Sequence, residues 1–420
     1  MKNLLAIIVI CLLIISCSKG DKNFLDLKEY SFDKTNSQLM FQDDEEVSVM
    51  TSAEENPSVK IENRTYEIGK VIRVRAIDEF TIEVANFAPI NIENAIITAN
   101  IEGINSQIQL FKINKINAHS IQEIKYSFID ESTDFKTVDN AIVDLSEFKE
   151  SGIQSTDITF DFTGDTKIIT KLKSLTILNW KIRYFDFGKK YPNDKYKDAI
   201  TPKDIRRLTG LMINFAYTLV SDGFKEEFLE EYLFDNDGVV YTLEEKEAIY
   251  QRILEKEYFS IGVLAPDIPY AGMANLGGNM WCLMESLINR YLTLPDTENY
   301  IYVAAHELGH NLGYKHSSNL TSEHTIDGVK TGISLLAKRI SVALLETNDY
   351  PINIDNYYCD ASDGVSFYRT QNVRPNKFLL KTDVYVTKEF HSKNRQFIVS
   401  KRKIFKNFNN KSQSKSSKYF

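Results

Sequence analysis

Residues 306–316 read His-Glu-Leu-Gly-His-Asn-Leu-Gly-Tyr-Lys-His, and this window holds three of the chain's six histidines. His306 and His310 stand four residues apart, so on a helix both rings leave the same face and can reach one ion. Glu307 follows His306 directly and lies beside that ion rather than on it. There a carboxylate can take a proton from an activated water. Gly313 can adopt the positive φ that other residues resist, which ends the helix and turns the chain so that His316 returns as a third ligand. Three protein ligands leave one position of a tetrahedral zinc open, the arrangement of a catalytic rather than a structural ion. The expected cofactor is therefore one Zn2+. Composition puts the five-position pattern on the order of 10⁻⁸ per starting position, which makes coincidence a poor explanation.

The elements around the motif must hold it in place. A helix is expected over roughly 297 to 312, capped by Asp296 after Pro295, with Glu298 in its first turn and Tyr300, Val303 and Ala304 on its apolar face. These two acids serve the helix terminus and have no catalytic part. Upstream, Leu175 to Phe185 reads as a strand. Thr201 and Pro202 then open a helix whose stripe is Ile205, Leu208, Met212, Phe215 and Leu219. Thr242 and Glu245 form a capping box for a second helix to about 257, and Phe259 to Ala265 reads as a buried strand. A further helix is expected over 334 to 346. Residues 57–172 instead alternate with period two, as in Ile72-Arg73-Val74-Arg75, Thr81-Ile82-Glu83-Val84 and Gln107-Ile108-Gln109-Leu110. That pattern predicts an antiparallel β-sandwich-like domain, serving as a propeptide, a substrate-positioning module or an adhesive domain. The fold class is α+β, with a mixed-sheet zinc domain over 173–390.

The segment from Ala305 to His316 resembles the zinc motif of the metzincin metalloendopeptidases. Val303-Ala304-Ala305 and Ser317 are similar to the matrixins, and Asn311-Leu312-Gly313 is similar to the adamalysin or reprolysin group. The resemblance implies a peptidase in which His306, His310 and His316 hold zinc and Glu307 is the general base. It implies an extended substrate along an edge strand near Gly272 to Cys282. Adamalysin-like domains join two similarly placed cysteines, which implies a Cys282–Cys359 disulfide; two unpaired buried thiols are the alternative. Metzincins carry a methionine in a tight turn below the metal, yet the last of this chain's seven methionines is Met284. Lys330-Thr331-Gly332-Ile333-Ser334 is the corresponding candidate turn, with Ile333 as the substitute. No cysteine lies between 18 and 281 to block the metal. Phe162-Thr163-Gly164-Asp165 resembles the blocking motif of astacin propeptides, which makes Asp165 a candidate latency ligand; Thr-Gly-Asp is equally an ordinary turn.

A chain of 420 residues with 43% hydrophobic content exceeds one ordinary domain. Lys2, the apolar run Leu4 to Ile15 and Ile14-Ile15-Ser16-Cys17 resemble a bacterial lipoprotein signal over 1–17, with lipidation at Cys17. An ordinary secretory signal is the alternative. The expected location is the bacterial cell envelope, lipid-anchored and extracytoplasmic. Residues 18–56 are polar, include Asp43-Asp44-Glu45-Glu46 and read as an acidic tether. Residues 391–420 hold nine Lys or Arg and no acid. They form a solvated tail or a patch for anionic lipid or glycan; for an exported chain of net charge −8, nucleic acid is not an expected partner. Two functions compete: a membrane-anchored zinc endopeptidase acting on protein or peptide, and a weak or inactive surface lipoprotein that binds host or envelope molecules.

Overall fold

The computed structural model describes residues 26–32, 37–39, 65–78, 80–126, 133–191, 195–200, 202–266, 268–290, 297–353 and 355–357. Cys17, Cys359, His391, the cap positions Thr201 and Asp296, the signal segment and the basic tail lie outside them. The architecture is α+β, with mixed sheets, and divides into two units. No helix among the described residues is long and apolar enough to cross a membrane.

The first unit takes its residues from 1–38, 72–85 and 92–170 and contains two four-stranded sheets. In one, Ile92–Ile101 pairs antiparallel with Ile108–Ile116 and Ile158–Thr163, while Glu29–Tyr30 joins parallel to the outer side of Ile108–Ile116. The other runs in the order Ser37–Leu39, Ser120–Lys125, Thr81–Asn86, Ile72–Asp78. The polar members of the period-two runs pair with one another. Glu83 is buried, and its carboxylate lies 2.9 Å from both the Arg73 and the Arg75 guanidinium.

The second unit takes its residues from 39–71, 86–91 and 171–420. Its five strands are β1 (Thr65–Glu67), β2 (Lys181–Tyr184), β3 (Tyr258–Leu264), β4 (Gly272–Ala274) and β5 (Met280–Met284), in the order β4-β5-β3-β2-β1. The central β2, β3 and β5 are parallel, and the edges β4 and β1 are antiparallel to their neighbours. Strand β1 falls in the stretch expected to be part of the β-rich segment, yet it pairs with β2. The apolar run from Leu175 does not form one strand. Leu175 and Leu178 bury at a spacing of three while Ile177 stays exposed, so a 3-10 turn precedes β2.

Parallel neighbours need a long crossover. Between β2 and β3 it is supplied by α1 (Pro202–Val220), α2 (Asp222–Glu230) and α3 (Leu243–Leu254). The α1 stripe of Ile205, Leu208, Met212, Phe215 and Leu219 is fully buried. Against it, Trp180, Phe259 and Trp281 build an aromatic core with Phe215, with ring centroids 5.0–5.8 Å apart, and the Trp180 indole N–H donates to the Ile253 carbonyl at 2.7 Å. Beyond the sheet come α4 (Thr297–Asn311), the hairpin β6 (His324–Ile326) and β7 (Val329–Thr331), and α5 (Ile333–Glu346), which packs on α4.

Helix α3 starts at a full capping box. The Glu245 N–H donates to Thr242 Oγ1 at 3.3 Å, and the Thr242 N–H donates to Glu245 Oε2 at 2.7 Å. Thr242→Ala removes the side-chain acceptor of the Glu245 N–H and should lower stability by about 1 kcal/mol. Urea unfolding would read this as a lower midpoint at unchanged slope.

Candidate metal centre

Helix α4 is held by its apolar face. Tyr300, Ile301, Ala304, Ala305 and Leu308 are fully buried, which turns His306 and His310 towards the opposite side. Between the two histidines sits Gly309, and a methyl group there would lie 1.8 Å from the Leu320 carbonyl oxygen. The missing side chain lets residues 318–321 lie directly on the helix. That segment carries the Thr321 carbonyl, which accepts from His306 Nδ1–H at 3.2 Å and is itself held by the Ser334 hydroxyl at 2.5 Å. Gly313 takes φ +98°, and the Tyr314 N–H bonds back to the Gly309 carbonyl at 3.0 Å, closing the helix end. The turn also presents the Tyr314 carbonyl to His310 Nδ1–H at 2.8 Å.

The chain then returns His316 to the two helical rings. His310 Nε2 and His316 Nε2 are 3.0 Å apart, and His316 Nε2 and His306 Nε2 are 3.3 Å apart. Among the described residues these three form the group able to share one metal ion, with all ligand atoms within 4.8 Å of one another. Nitrogens bound tetrahedrally at zinc distances stand about 3.3 Å apart. The protonation pattern fits as well. Carbonyls occupy Nδ1 of His306 and His310, so these nitrogens carry the hydrogens and both Nε2 lone pairs point into the shared space. Burial, reinforced by the neighbouring histidines, pushes the His306 imidazole down to about 4, and burial also lowers His310. Both rings are therefore neutral near pH 7, the form that binds a metal.

Glu307 is 3% exposed. Its carboxylate lies over Gly272 of the edge strand β4, where a Cβ would meet Oε1 at 2.4 Å. Oε2 has no hydrogen-bond partner among the described residues. Burial raises this carboxyl to about 8 in the metal-free site. A dication at the three nitrogens would favour the ionised form. A cleft of about 500 Å³ opens over these groups, walled by Tyr270, Gly272 and Met273 on one side and Tyr302 and Val303 of α4 on the other.

Cys282 is a free thiol among the described residues, and Cys359, the partner that the resemblance implies, lies outside them. Cys282 is fully buried in β5 against Phe187, Gly262 and Leu264, so its sulfur faces the sheet core, and burial raises its pKa strongly. Asp165 is exposed, in the turn that follows the strand Ile158–Thr163 of the first unit. Ile333 is fully buried as the first residue of α5, after Gly332 at φ +139°. His324 donates from Nε2 to the His316 carbonyl at 2.9 Å. His119 is fully buried in the first unit. Sequence reasoning missed the Thr321 and Tyr314 carbonyls, Ser334, Tyr302 and the contacts of Asn236. Apart from Tyr314, four residues on from His310, each acts through a neighbour that only the fold supplies.

Two outcomes follow for the protein itself. Gly309→Ala forces the Leu320 backbone away from α4 and should destabilise by about 1–3 kcal/mol or more, read by urea unfolding. In the metal-free protein the raised Glu307 pKa makes folding favour the protonated form, so its stabilising effect is present below about pH 4.5 and is lost as pH rises towards 8. The stability of Glu307→Gln relative to the parent should therefore increase across that window by up to about 1.4 kcal/mol per pH unit. A pH-independent difference in chelator-treated samples would contradict this. No protein-family model matches the chain, and no curated protein or solved structure matches it, so the case for its chemistry stands on its own residues.

Proposed function

We propose that this chain is a zinc-dependent endopeptidase of the metzincin kind, carried on a membrane surface of the bacterial envelope by a lipidated Cys17. The observation that carries the reading is the convergence of three imidazole nitrogens beside a buried carboxylate in an open cleft. His306, His310 and His316 would hold the ion. Bound there, zinc would bring the pKa of a coordinated water towards ~7 and polarise a substrate carbonyl.

The chain's own groups supply the rest. Glu307 Oε2, buried and without a partner, would take the proton from the attacking water and return it to the leaving amine nitrogen. The Thr321 and Tyr314 carbonyls fix the tautomers and ring planes of His306 and His310. Strand β4 is a sheet edge beside the cleft, so an extended peptide can add to it through main-chain hydrogen bonds. Tyr270, Met273, Tyr302 and Val303 would receive apolar side chains of that peptide. The basic tail would add attraction to anionic lipid or glycan.

A cleavage assay on a peptide library, with metal content measured in parallel, tests this. Glu307→Ala should keep its zinc and lose kcat/KM by about 10²–10⁴-fold. Chelation should abolish cleavage by the parent, and added zinc should restore it. A zinc-loaded parent that cleaves nothing, in the same way as Glu307→Ala, would favour the surface-binding lipoprotein instead.

A further inference from the structure

We infer that Asn236, far from the histidine motif in sequence, is a positioning residue for the third metal ligand and sets how tightly the ion is held. The inference deepens the zinc reading of this site and rests on it. The three ligands are not equally supported. His306 and His310 grow from a helix, and a backbone carbonyl holds the Nδ1 of each. His316 is the exposed ligand. Its Nε2 lies 3.0 and 3.3 Å from those of the other two rings, and its carbonyl accepts from His324. Where its ring sits therefore depends on where the 313–319 backbone sits.

That backbone is strapped to residues 232–236. The Lys315 N–H donates to Asn236 Oδ1 at 2.7 Å, and Asn236 Nδ2 donates to the Gly313 carbonyl at 3.3 Å. The Ser317 hydroxyl donates to the Asn236 carbonyl at 2.8 Å. Asn236 thus holds the residues on both sides of His316. Three neighbouring bonds extend the strap: Ser318 Oγ to the Phe234 carbonyl at 2.6 Å, Phe234 N–H to Asn319 Oδ1 at 2.9 Å, and Asn319 Nδ2 to the Tyr232 carbonyl at 2.6 Å. The strap is stiff on its own side. Asp235 Oδ1 accepts from the N–H groups of Asp237 and Val239, and Phe234 bridges to Val240. An amide suits position 236 because it donates and accepts from one planar group. An aspartate keeps the acceptor for Lys315, whereas an alanine keeps neither bond.

Supporting groups of this kind typically change metal affinity by about 10–100-fold when removed. Zinc dissociation constants are measured by competition with a chromophoric chelator on the full chain, beside the melting temperature of the metal-free protein. Asn236→Ala should raise the dissociation constant at least ~10-fold while the metal-free melting temperature stays close to the parent's. Asn236→Asp should recover much of the affinity. Ser317→Ala cuts the strap from the other side and should also weaken binding, which keeps the test decisive if Asn236→Ala fails to fold. Unchanged zinc affinity in the folded variants, against a parent that holds one zinc, would overturn the strap and leave the site intact. A parent that takes up no zinc would overturn the three-histidine reading itself.

Discussion

Three imidazole rings converge on one space beside a buried carboxylate, with His316 Nε2 at 3.0 and 3.3 Å from the Nε2 atoms of His310 and His306. Two of the rings spend their Nδ1 hydrogens on backbone carbonyls, so lone pairs point at a common centre. Protonating the rings would place like charges in contact, and burial opposes the charged form of His306 and His310. A single divalent cation would satisfy these groups at once: it would accept the lone pairs, stay compatible with neutral rings and compensate the Glu307 carboxylate. The rest of the second unit can be understood as the means of imposing that geometry.

The imposition is hydrophobic in origin and polar in detail. The buried face of α4 and the aromatic core around Trp180 and Trp281 determine where the helix lies. The hairpin of β4 and β5 is then latched to the end of α4. The Gly277 N–H donates to the His310 carbonyl at 2.8 Å, and Asn311 Nδ2 donates to the Asn275 and Met280 carbonyls. From α3, Arg252 donates to the Leu312 carbonyl at 2.7 Å and Lys256 to the Asn311 carbonyl at 3.4 Å, placing positive charge at the helix C-terminus. Edge strand, metal helix and ligand turn are thereby registered to one another. The proposed cleavage of an extended peptide would need that registration, because substrate backbone, carboxylate and ion would have to meet in one fixed geometry.

Much of the site was legible because its information is local. Spacings of four and six residues, one glycine with positive φ and an adjacent glutamate are readable without a fold, and the structure does bring the three rings together. Local signals also located α1 through its stripe, α3 through its capping box and α5 within one residue. Non-local partners were beyond reach. Nothing around Thr65 says that it will pair with β2, since an edge strand of three residues has no distinctive pattern. The run from Leu175 has strand composition, but a spacing of three between its buried leucines decides for a turn. The Cys282 pairing came from resemblance alone, and the thiol's place in the sheet core turned on Phe187 and Gly262. The 232–236 strap has the composition of an ordinary turn, and its role depends on residues some 80 positions away.

The central claim is that these three rings share one ion, and zinc-edge X-ray absorption on protein reconstituted with one equivalent of Zn2+ tests it most directly. The account predicts three imidazole nitrogens and oxygen completing the shell, all at about 2.0–2.1 Å. A sulfur scatterer at about 2.3 Å, fewer than three imidazoles, or failure to retain stoichiometric zinc would contradict it.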